Sequence, residues 1–417
     1  MMHNTEQAAL PRPTLAPVQR LLPLSCLAIT ALFVYVLALS QHTVNWPFTD
    51  DYLATLQFLI DWQTRPALLD RLERILAPHN EHRLVLNHVF ELIDLTAFGQ
   101  VSFAHMVVIG NFLWASAVAA MLWQGRHAGL SWGELSPAII LGCTLSHHDL
   151  MIWAMASLQQ YGQILLCVLA AWAASRDKWL WSLIAAVMAA AAGGGGFAVF
   201  PAVAICFAAR RHWMRAGATL VLMCLLLLAH AQSLSIAQAE GSRIQHALQH
   251  PLQAAAYALC FLGSVGKSTQ ASIALGLLTV LSLGWLMWRE DAIRRQPFFV
   301  IVCLWLLFSA ALAALARLSL GVDQARSTRY TPHAITLLMS IGMLSVSLAR
   351  TTNQRQIRWR CWATLCLILW LTWLGHGWRQ QAQQAEALRM RTHIAPPSAE
   401  VAHQILEDAR RAGVFQQ

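Results

Sequence analysis

Long apolar runs separated by short polar connections dominate the chain. A transmembrane helix needs about 20 predominantly apolar residues. Runs of this kind recur near 21–40, 102–124, 134–152, 158–175, 179–194, 197–209, 216–232, 271–288, 297–316, 331–349 and 361–377. The pattern predicts an all-α, polytopic transmembrane helix bundle of about 11 spans. A further apolar stretch, 252–266, would place the basic connections after it on the wrong side of the membrane if it were a full span. It is therefore predicted to lie on, or dip into, the outer face.

Composition agrees with this pattern. Of the 417 residues, 57% are hydrophobic and 12% are charged, about half of the charged fraction of a soluble domain. So little charge cannot solvate a surface of this size, and the surface is therefore expected to face lipid. A net charge of +9 would indicate nucleic acid in a soluble protein. Here the basic residues lie in short connections between spans, so we expect no nucleic-acid partner.

The basic connections orient the spans, because cytoplasmic loops carry an excess of Lys and Arg. Arg12 and Arg20 place the N-terminus inside, and basic residues recur on alternate connections as far as Arg360. The chain is predicted to be a multi-pass protein of a bacterial inner membrane. The predicted divisions are a cytoplasmic segment 1–20, a transmembrane domain 21–377 with an outer loop 41–101, and a short helical, periplasmic tail 378–417.

The outer loop combines two adjacent carboxylates with amphipathic helices. Asp50 and Asp51 follow the first span closely. Leucine and isoleucine then recur at helical spacing from Leu53 to Ile75, which predicts helices that lie flat at the membrane interface. One interpretation of the two acids is helix capping. The other is a general base or metal ligand, since adjacent carboxylates in a cleft raise each other's pKa.

A second polar group in this loop follows Pro78. The sequence there is His79-Asn-Glu81-His82-Arg83. It reads either as a polar turn or as part of a binding site. On a helix His79 and His82 would share a face, which permits metal binding. Two histidines are weaker evidence for a metal site than a complete set of ligands. No residue is assigned as a metal ligand, and a divalent cation stays open as a cofactor.

Polar residues also interrupt the apolar pattern later in the chain. His148 and Asp149 end the third span, either as a snorkelling helix end or facing a partner or a water-filled cavity. Gln159, Gln160 and Gln163 open the next span. The four glycines 193–196 indicate either a tight hairpin or close approach of the backbone to a ligand.

A late connection, predicted to lie outside, is rich in arginine. It contains Arg317, Asp323, Arg326, Arg329 and Tyr330. Short outer loops normally lack Arg, and guanidinium groups bind phosphate in a bidentate manner. The segment, joined by the outer residue Lys267, therefore indicates a phosphate clamp. The alternative is an Arg–Asp ion pair at helix ends, although one Asp neutralises only one Arg.

Two of these stretches resemble the GT-C class of integral membrane glycosyltransferases, in particular bacterial relatives of the protein mannosyltransferase and aminoarabinose transferase type. The matching features are Trp46-Pro-Phe-Thr-Asp50-Asp51-Tyr52, the amphipathic helices after it, and Arg326-Ser-Thr-Arg329-Tyr330. The resemblance implies an inverting transfer of a sugar from a polyprenyl-phosphate carrier. It also implies that Asp50 or Asp51 is the general base, and that Arg326 and Arg329 hold the carrier phosphate.

The chain departs from that class in two respects. We expect no large C-terminal soluble domain after residue 377, and the second outer acidic residue has only Asp149 as a candidate. The predicted substrate-binding residues are His79, Glu81, His82, Arg83, His148, Asp149, Lys267, Arg317, Arg326, Arg329 and Tyr330.

The predicted function is a membrane glycosyltransferase that moves a sugar from a polyprenyl-phosphate donor to a glycan, lipid or protein acceptor at the cell surface. The rival is a transporter or flippase for lipid-linked glycans. A transporter usually places charges near the midplane on broken helices and shows a repeat between its halves. The sequence has few mid-span charges and no repeat. A non-catalytic assembly partner for surface glycans also stays open.

Overall fold

A computed structural model describes residues 22–65, 67–79, 82–233, 237–391 and 397–416. The predicted cytoplasmic segment 1–20 lies outside the described residues. Almost all of the described secondary structure is helical, and the described strands amount to two residues each. The predicted all-α class is therefore confirmed.

The first part of the described chain holds one long helix, the outer loop and a second long helix. Its elements are α1 (Leu22–His42), a π-helical turn (Tyr52–Leu56), α2 (Gln57–Thr64), α3 (Leu68–Leu76), β1 (Pro78–His79), β2 (His82–Arg83), α4 (Val85–Phe98) and α5 (Phe103–His127).

Short and long helices alternate in the middle of the chain. They are α6 (Trp132–Gly142), a 3₁₀ turn (Leu145–His147), α7 (His148–Met151), α8 (Ala154–Ser175), α9 (Trp179–Ala192), a 3₁₀ turn (Gly194–Ala198), α10 (Val199–Ala209), α11 (Trp213–Ser233), α12 (Ala237–Gln249) and α13 (Pro251–Leu262).

The last part contains the longest helix. Its elements are α14 (Thr269–Glu290), α15 (Ala292–Arg295), α16 (Pro297–Arg317), 3₁₀ turns (Leu318–Leu320 and Val322–Arg326), α17 (Thr331–Ser347), α18 (Thr352–Arg389) and α19 (Ala399–Arg411).

Six helices of the described chain are long and apolar enough to cross a membrane, namely α1, α5, α8, α11, α14 and α16. They make the chain a multi-pass membrane protein. Of four shorter apolar helices, α9, α10 and α17 coincide with other predicted runs, and α13 coincides with the stretch 252–266 that the sequence predicts to lie on, or dip into, the outer face. The run 134–152 is divided between α6, a 3₁₀ turn and α7, and the run 361–377 lies inside α18. A total of about 11 spans stays a prediction.

The centre of the bundle is built from α8, α16 and α17. Almost every residue of α17 is buried, and Tyr161 of α8 and Trp305 of α16 are among the largest fully buried side chains. The glycine turn 193–196 joins α9 to α10 beside this core. A Cβ on Gly196 would lie 2.1 Å from the carbonyl oxygen of Ala189, so this turn depends on the absence of a side chain.

The outer loop forms a layer at one end of the bundle. Its helix α3 exposes Leu68, Leu69, Leu72 and Leu76 and buries none of its residues. Exposed leucines on a strongly amphipathic helix favour the interfacial position that the sequence predicts. The hairpin β1–β2 follows, in which His79 pairs with His82 across the ladder. These two histidines therefore do not share a helix face.

The C-terminal tail packs against the same layer. Helix α18 continues past the predicted boundary at residue 377, and α19 then contacts α2 and the π-helical turn. Phe415 lies between the rings of Trp46 and Phe103, at centroid distances of 6.0 and 5.4 Å. The tail and the outer loop consequently occupy the same end of the bundle.

Candidate functional site

The acidic turn of the outer loop gives its two aspartates different environments. Asp51 is 1% exposed. Its Oδ2 accepts a hydrogen bond from the backbone N–H of Phe48 at 2.9 Å, and its Oδ1 accepts one from the backbone N–H of Met155 at 2.8 Å. Asp51 precedes the π-helical turn, but its side chain does not cap that helix. Asp50 is partly exposed, so only Asp50 presents a carboxylate to solvent.

A second buried carboxylate lies close to Asp51. Glu91 of α4 is 0% exposed, and its Oε1 accepts a hydrogen bond from the Thr55 hydroxyl at 2.7 Å. Burial raises the pKa of Asp51 to about 7, with a smaller contribution from Asp50. Burial also raises the pKa of Glu91 to about 8, and the charge of Asp51 adds to that rise.

Glu91 was not among the predicted site residues, although the sequence carries a signal for it. Asn87, His88, Glu91 and Asp94 follow each other at helical spacing, and all four are buried. Val89, Ile93 and Phe98 on the remaining surface of α4 are exposed. Helix α4 thus turns its polar face inward. In a soluble protein the apolar face of a helix is normally buried, so that expectation would not have identified Glu91 as a buried residue.

The histidine-containing hairpin lies beside the acidic turn. Burial lowers the pKa of His79, and the nearby Asp50 opposes that effect. Nε2 of His79 is buried and has no hydrogen-bond partner among the described residues. Glu81 lies outside the described residues, as does the side chain of His82. Arg83 is partly buried. Within the described chain no three His, Cys, Asp or Glu side chains are grouped closely enough to hold a metal ion.

The predicted residues of the third span lie at the same end of the bundle. His148 and Asp149 are hydrogen-bonded to each other, with 2.8 Å between Nδ1 and Oδ1. The second oxygen of Asp149 accepts a hydrogen bond from the Thr328 hydroxyl at 3.2 Å. This contact joins α7 to the arginine-rich connection, 179 residues later in the chain.

The arginines of that connection contact different partners. The guanidinium carbon of Arg329 lies 5.9 Å from the ring centroid of Trp153, and Nε donates to the Ser327 hydroxyl. Nη2 of Arg326 donates to the carbonyl oxygen of Lys267 at 2.7 Å. The predicted Arg–Asp ion pair is not found among the described contacts, and Asp323 accepts a hydrogen bond from the Thr269 hydroxyl.

Trp153 connects the acidic turn to the arginine-rich connection. Its ring contacts Phe48, two residues before Asp50, in an edge-to-face arrangement at 5.1 Å. The same ring underlies Arg329. One indole therefore brings a carboxylate-bearing turn and a guanidinium to one place. Arg317 and Tyr330 lie in the wall of a partly open cavity of about 230 Å³.

Comparisons with known proteins identify no relative of this chain. No family model matches the chain, and no curated protein or solved structure is detectably similar to it. The resemblance to GT-C glycosyltransferases therefore rests on the quoted residues alone.

Proposed function

We propose that the chain is a glycosyltransferase of a bacterial inner membrane, with about 11 spans and its reactive groups on the periplasmic side. Its donor is a sugar on a polyprenyl-phosphate carrier, and its acceptor is a hydroxyl of a surface glycan, lipid or protein. One observation carries the proposal: Trp153 contacts both the turn that bears Asp50 and the guanidinium of Arg329. A base and a phosphate-binding cation thereby stand at one end of an apolar bundle.

Asp50 suits the role of general base better than Asp51. A base must reach the proton that it removes. Asp50 is partly exposed, whereas both oxygens of the buried Asp51 accept backbone hydrogen bonds. Asp51 is therefore a positioning residue, which fixes the turn so that Asp50 faces the acceptor.

The proposed step conserves atoms and charge. The acceptor hydroxyl gives its proton to the Asp50 carboxylate, and its oxygen attacks the anomeric carbon of the donor. The bond from that carbon to the phosphate oxygen breaks, and the phosphate leaves with the electron pair, so the configuration inverts. Arg329 stabilises the charge that grows on the phosphate, because guanidinium–phosphate hydrogen bonds are strong and specific in geometry.

The test is mass spectrometry of carrier lipids and surface glycans from cells of five kinds: wild type, a deletion, Asp50→Asn, Asp51→Asn and Asp70→Asn. Asp70 is an exposed carboxylate of the same loop and serves as the matched control. We expect the deletion and Asp50→Asn to lose one sugar from a glycan and to accumulate the polyprenyl-phosphate sugar. Asp70→Asn should behave as the wild type. Immunodetection in isolated membranes checks that each variant inserts.

Other outcomes would reject the proposal. An unchanged glycan in the deletion strain excludes the transferase. A changed glycan in the deletion strain, together with wild-type behaviour of Asp50→Asn and Asp51→Asn, favours the transporter or the assembly partner instead.

A further inference from the structure

A partly open cavity with several polar side chains in its wall lies within the bundle below the acidic turn. It is lined by α8, the glycine turn, α11, α13, α16 and α17, and its volume is about 230 Å³. Gln159 and Gln163 of its wall follow Met155, the partner of Asp51, by four and eight residues. At 1.5 Å per residue they lie about 6 and 12 Å further along the helix. The cavity therefore extends from the reactive end into the membrane part of the bundle.

The wall of the cavity is rich in uncharged hydrogen-bonding groups. Gln159, Gln160 and Gln163 all line it. Gln160 Nε2 donates to Gln159 Oε1 at 3.4 Å, and Gln163, which is 3% exposed, holds its carboxamide against Gly193 and Gly195. Three carboxamides in one wall favour a polar ligand over a purely apolar one.

A histidine on the facing helix gives independent support. His333 of α17 lines the cavity, is 3% exposed, and its Nδ1 has no hydrogen-bond partner among the described residues. The ring of Phe261 lies beside it, at 5.5 Å between centroids. An unsatisfied imidazole nitrogen next to an aromatic face suits a ring that bears both hydroxyl groups and C–H bonds.

The glycine turn provides the room for this arrangement. A Cβ on Gly193 would lie 2.6 Å from Nε2 of Gln163, and one on Gly195 would lie 2.7 Å from Oε1. The carbonyl oxygen of Gly195 accepts a hydrogen bond from Trp305 Nε1 at 3.2 Å, which holds the turn in place. The carboxamide of Gln163 thus lies directly against the backbone, where side chains would displace it.

The size and charge of the cavity narrow the choice of ligand. Its volume of about 230 Å³ is below the roughly 300–1,000 Å³ of typical small-molecule pockets, so it suits a single ring. No carboxylate lines it within the described residues, and Arg317 is the one arginine of its wall there. An uncharged, hydroxyl-bearing group with a neighbouring anion fits this combination.

We propose that this cavity binds one uncharged hexose ring, the sugar of the lipid-linked donor, with the carrier phosphate toward Arg317 and Arg329. The inference rests on the proposed transferase function and assigns its donor subsite. A carboxamide both donates and accepts hydrogen bonds, so glutamines can pair with neighbouring hydroxyl groups. The same chemistry would suit a sugar of the acceptor, and the experiment separates these two sources.

The test uses the purified full chain in lipid nanodiscs. Four probes are compared: polyprenyl phosphate, polyprenyl phosphate bearing glucose, mannose or galactose, methyl hexopyranosides, and inorganic phosphate. The variants are Gln163→Leu and His333→Phe, and Gln124→Leu is the matched control. Gln124 is also buried but does not line the cavity. Thermal unfolding checks that each variant is folded, and two cavity variants keep the test valid if one is not.

We expect the wild type to bind one sugar-bearing carrier at least about tenfold more tightly than the bare carrier. Either cavity variant should reduce this ratio toward one while keeping affinity for bare polyprenyl phosphate, and Gln124→Leu should keep the ratio. An unchanged ratio in both folded cavity variants overturns the inference and leaves the transferase function standing.

Three further outcomes separate the alternatives. Loss of methyl hexopyranoside binding with an unchanged carrier ratio overturns the donor assignment in favour of an acceptor sugar. Binding of inorganic phosphate alone overturns the hexose assignment. Hexopyranoside binding that depends on Gln163, in a protein that binds no carrier and transfers no sugar, supports a hexose site while the transferase function fails.

Discussion

The backbone N–H of Met155 donates a hydrogen bond to Oδ1 of Asp51 over 2.8 Å, and the two residues stand 104 positions apart in the chain. The donor belongs to the first turn of α8, where the N–H groups have no partner within the helix. Because Oδ2 of the same side chain accepts from Phe48, Asp51 ties the outer loop to the bundle. The position of Asp50 depends on this tie.

Removal of the Asp51 carboxylate should destabilise the protein. In Asp51→Ala two buried backbone donors lose their acceptor, at a cost of about 1–3 kcal/mol each. Asp51→Asn keeps one acceptor and should cost less. The measurement is thermal unfolding of the purified protein in detergent, with the exposed Asp70→Ala as control. Equal unfolding midpoints for Asp51→Ala and Asp70→Ala would refute the anchoring role.

The stability of the protein should fall as the pH rises from 5 to 9. The pKa values of Asp51 and Glu91 are raised in the folded state to about 7 and 8, whereas unfolded carboxylic acids titrate near 4. Between these values the folded state binds more protons, so the free energy of unfolding decreases with increasing pH. The stabilisation that comes from the raised pKa values of Asp51 and Glu91 is complete below about pH 4 and lost above about pH 8.

Glu91→Gln tests this pH dependence directly. Glutamine keeps the hydrogen bond from Thr55 but does not ionise, so the decline between pH 5 and 9 should become smaller by an amount on the order of a few kcal/mol. Unfolding midpoints at pH 5.5 and 8.5 measure it. The exposed Glu73→Gln should keep the wild-type decline, and an identical decline in Glu91→Gln would contradict the assignment.

The two arginines near Tyr330 should differ in their effect on transfer. Arg329→Ala is expected to raise the KM for the polyprenyl-phosphate donor by about tenfold or more, because a hydrogen bond to a charged group contributes about 1.5–3 kcal/mol. Arg326→Ala should have a smaller effect, since Nη2 of Arg326 already bonds the Lys267 carbonyl. Steady-state kinetics in nanodiscs provides the comparison. A larger effect of Arg326→Ala would reverse the assignment.

The C-terminal tail should stabilise the acidic turn through Phe415. Phe415→Ala removes a buried ring from between Trp46 and Phe103, and such truncations cost about 3–5 kcal/mol. We expect faster hydrogen exchange over residues 44–64, measured by mass spectrometry. Val401→Ala, at an exposed position of α19, is the control and should exchange as the wild type. Unchanged exchange in Phe415→Ala would show that the tail does not support the loop.

The helical, membrane-spanning class follows from the sequence because it depends on local properties. Apolar runs of spanning length determine helices in lipid, where each backbone group must be satisfied within its own segment. The amphipathic period of 68–76 likewise predicted the helix α3. These features need no knowledge of what lies next to each helix.

Other features depend on contacts between distant segments. The polar face of α4 is buried with Glu91 because the π-helical turn, α5, α8 and α9 pack around it, and no local pattern identifies those neighbours. The same is true of the arginines, whose partners Trp153 and Lys267 come from other connections.

Asp50 and Asp51 illustrate the difference between what the sequence determines and what the tertiary structure determines. The sequence by itself determined that two carboxylates follow the first span, and it could not distinguish them because they are adjacent and chemically identical. The tertiary structure decided between them, since Met155 reaches only Asp51. A hydrogen bond across 104 residues depends on how the bundle packs, and that packing leaves Asp50 partly exposed.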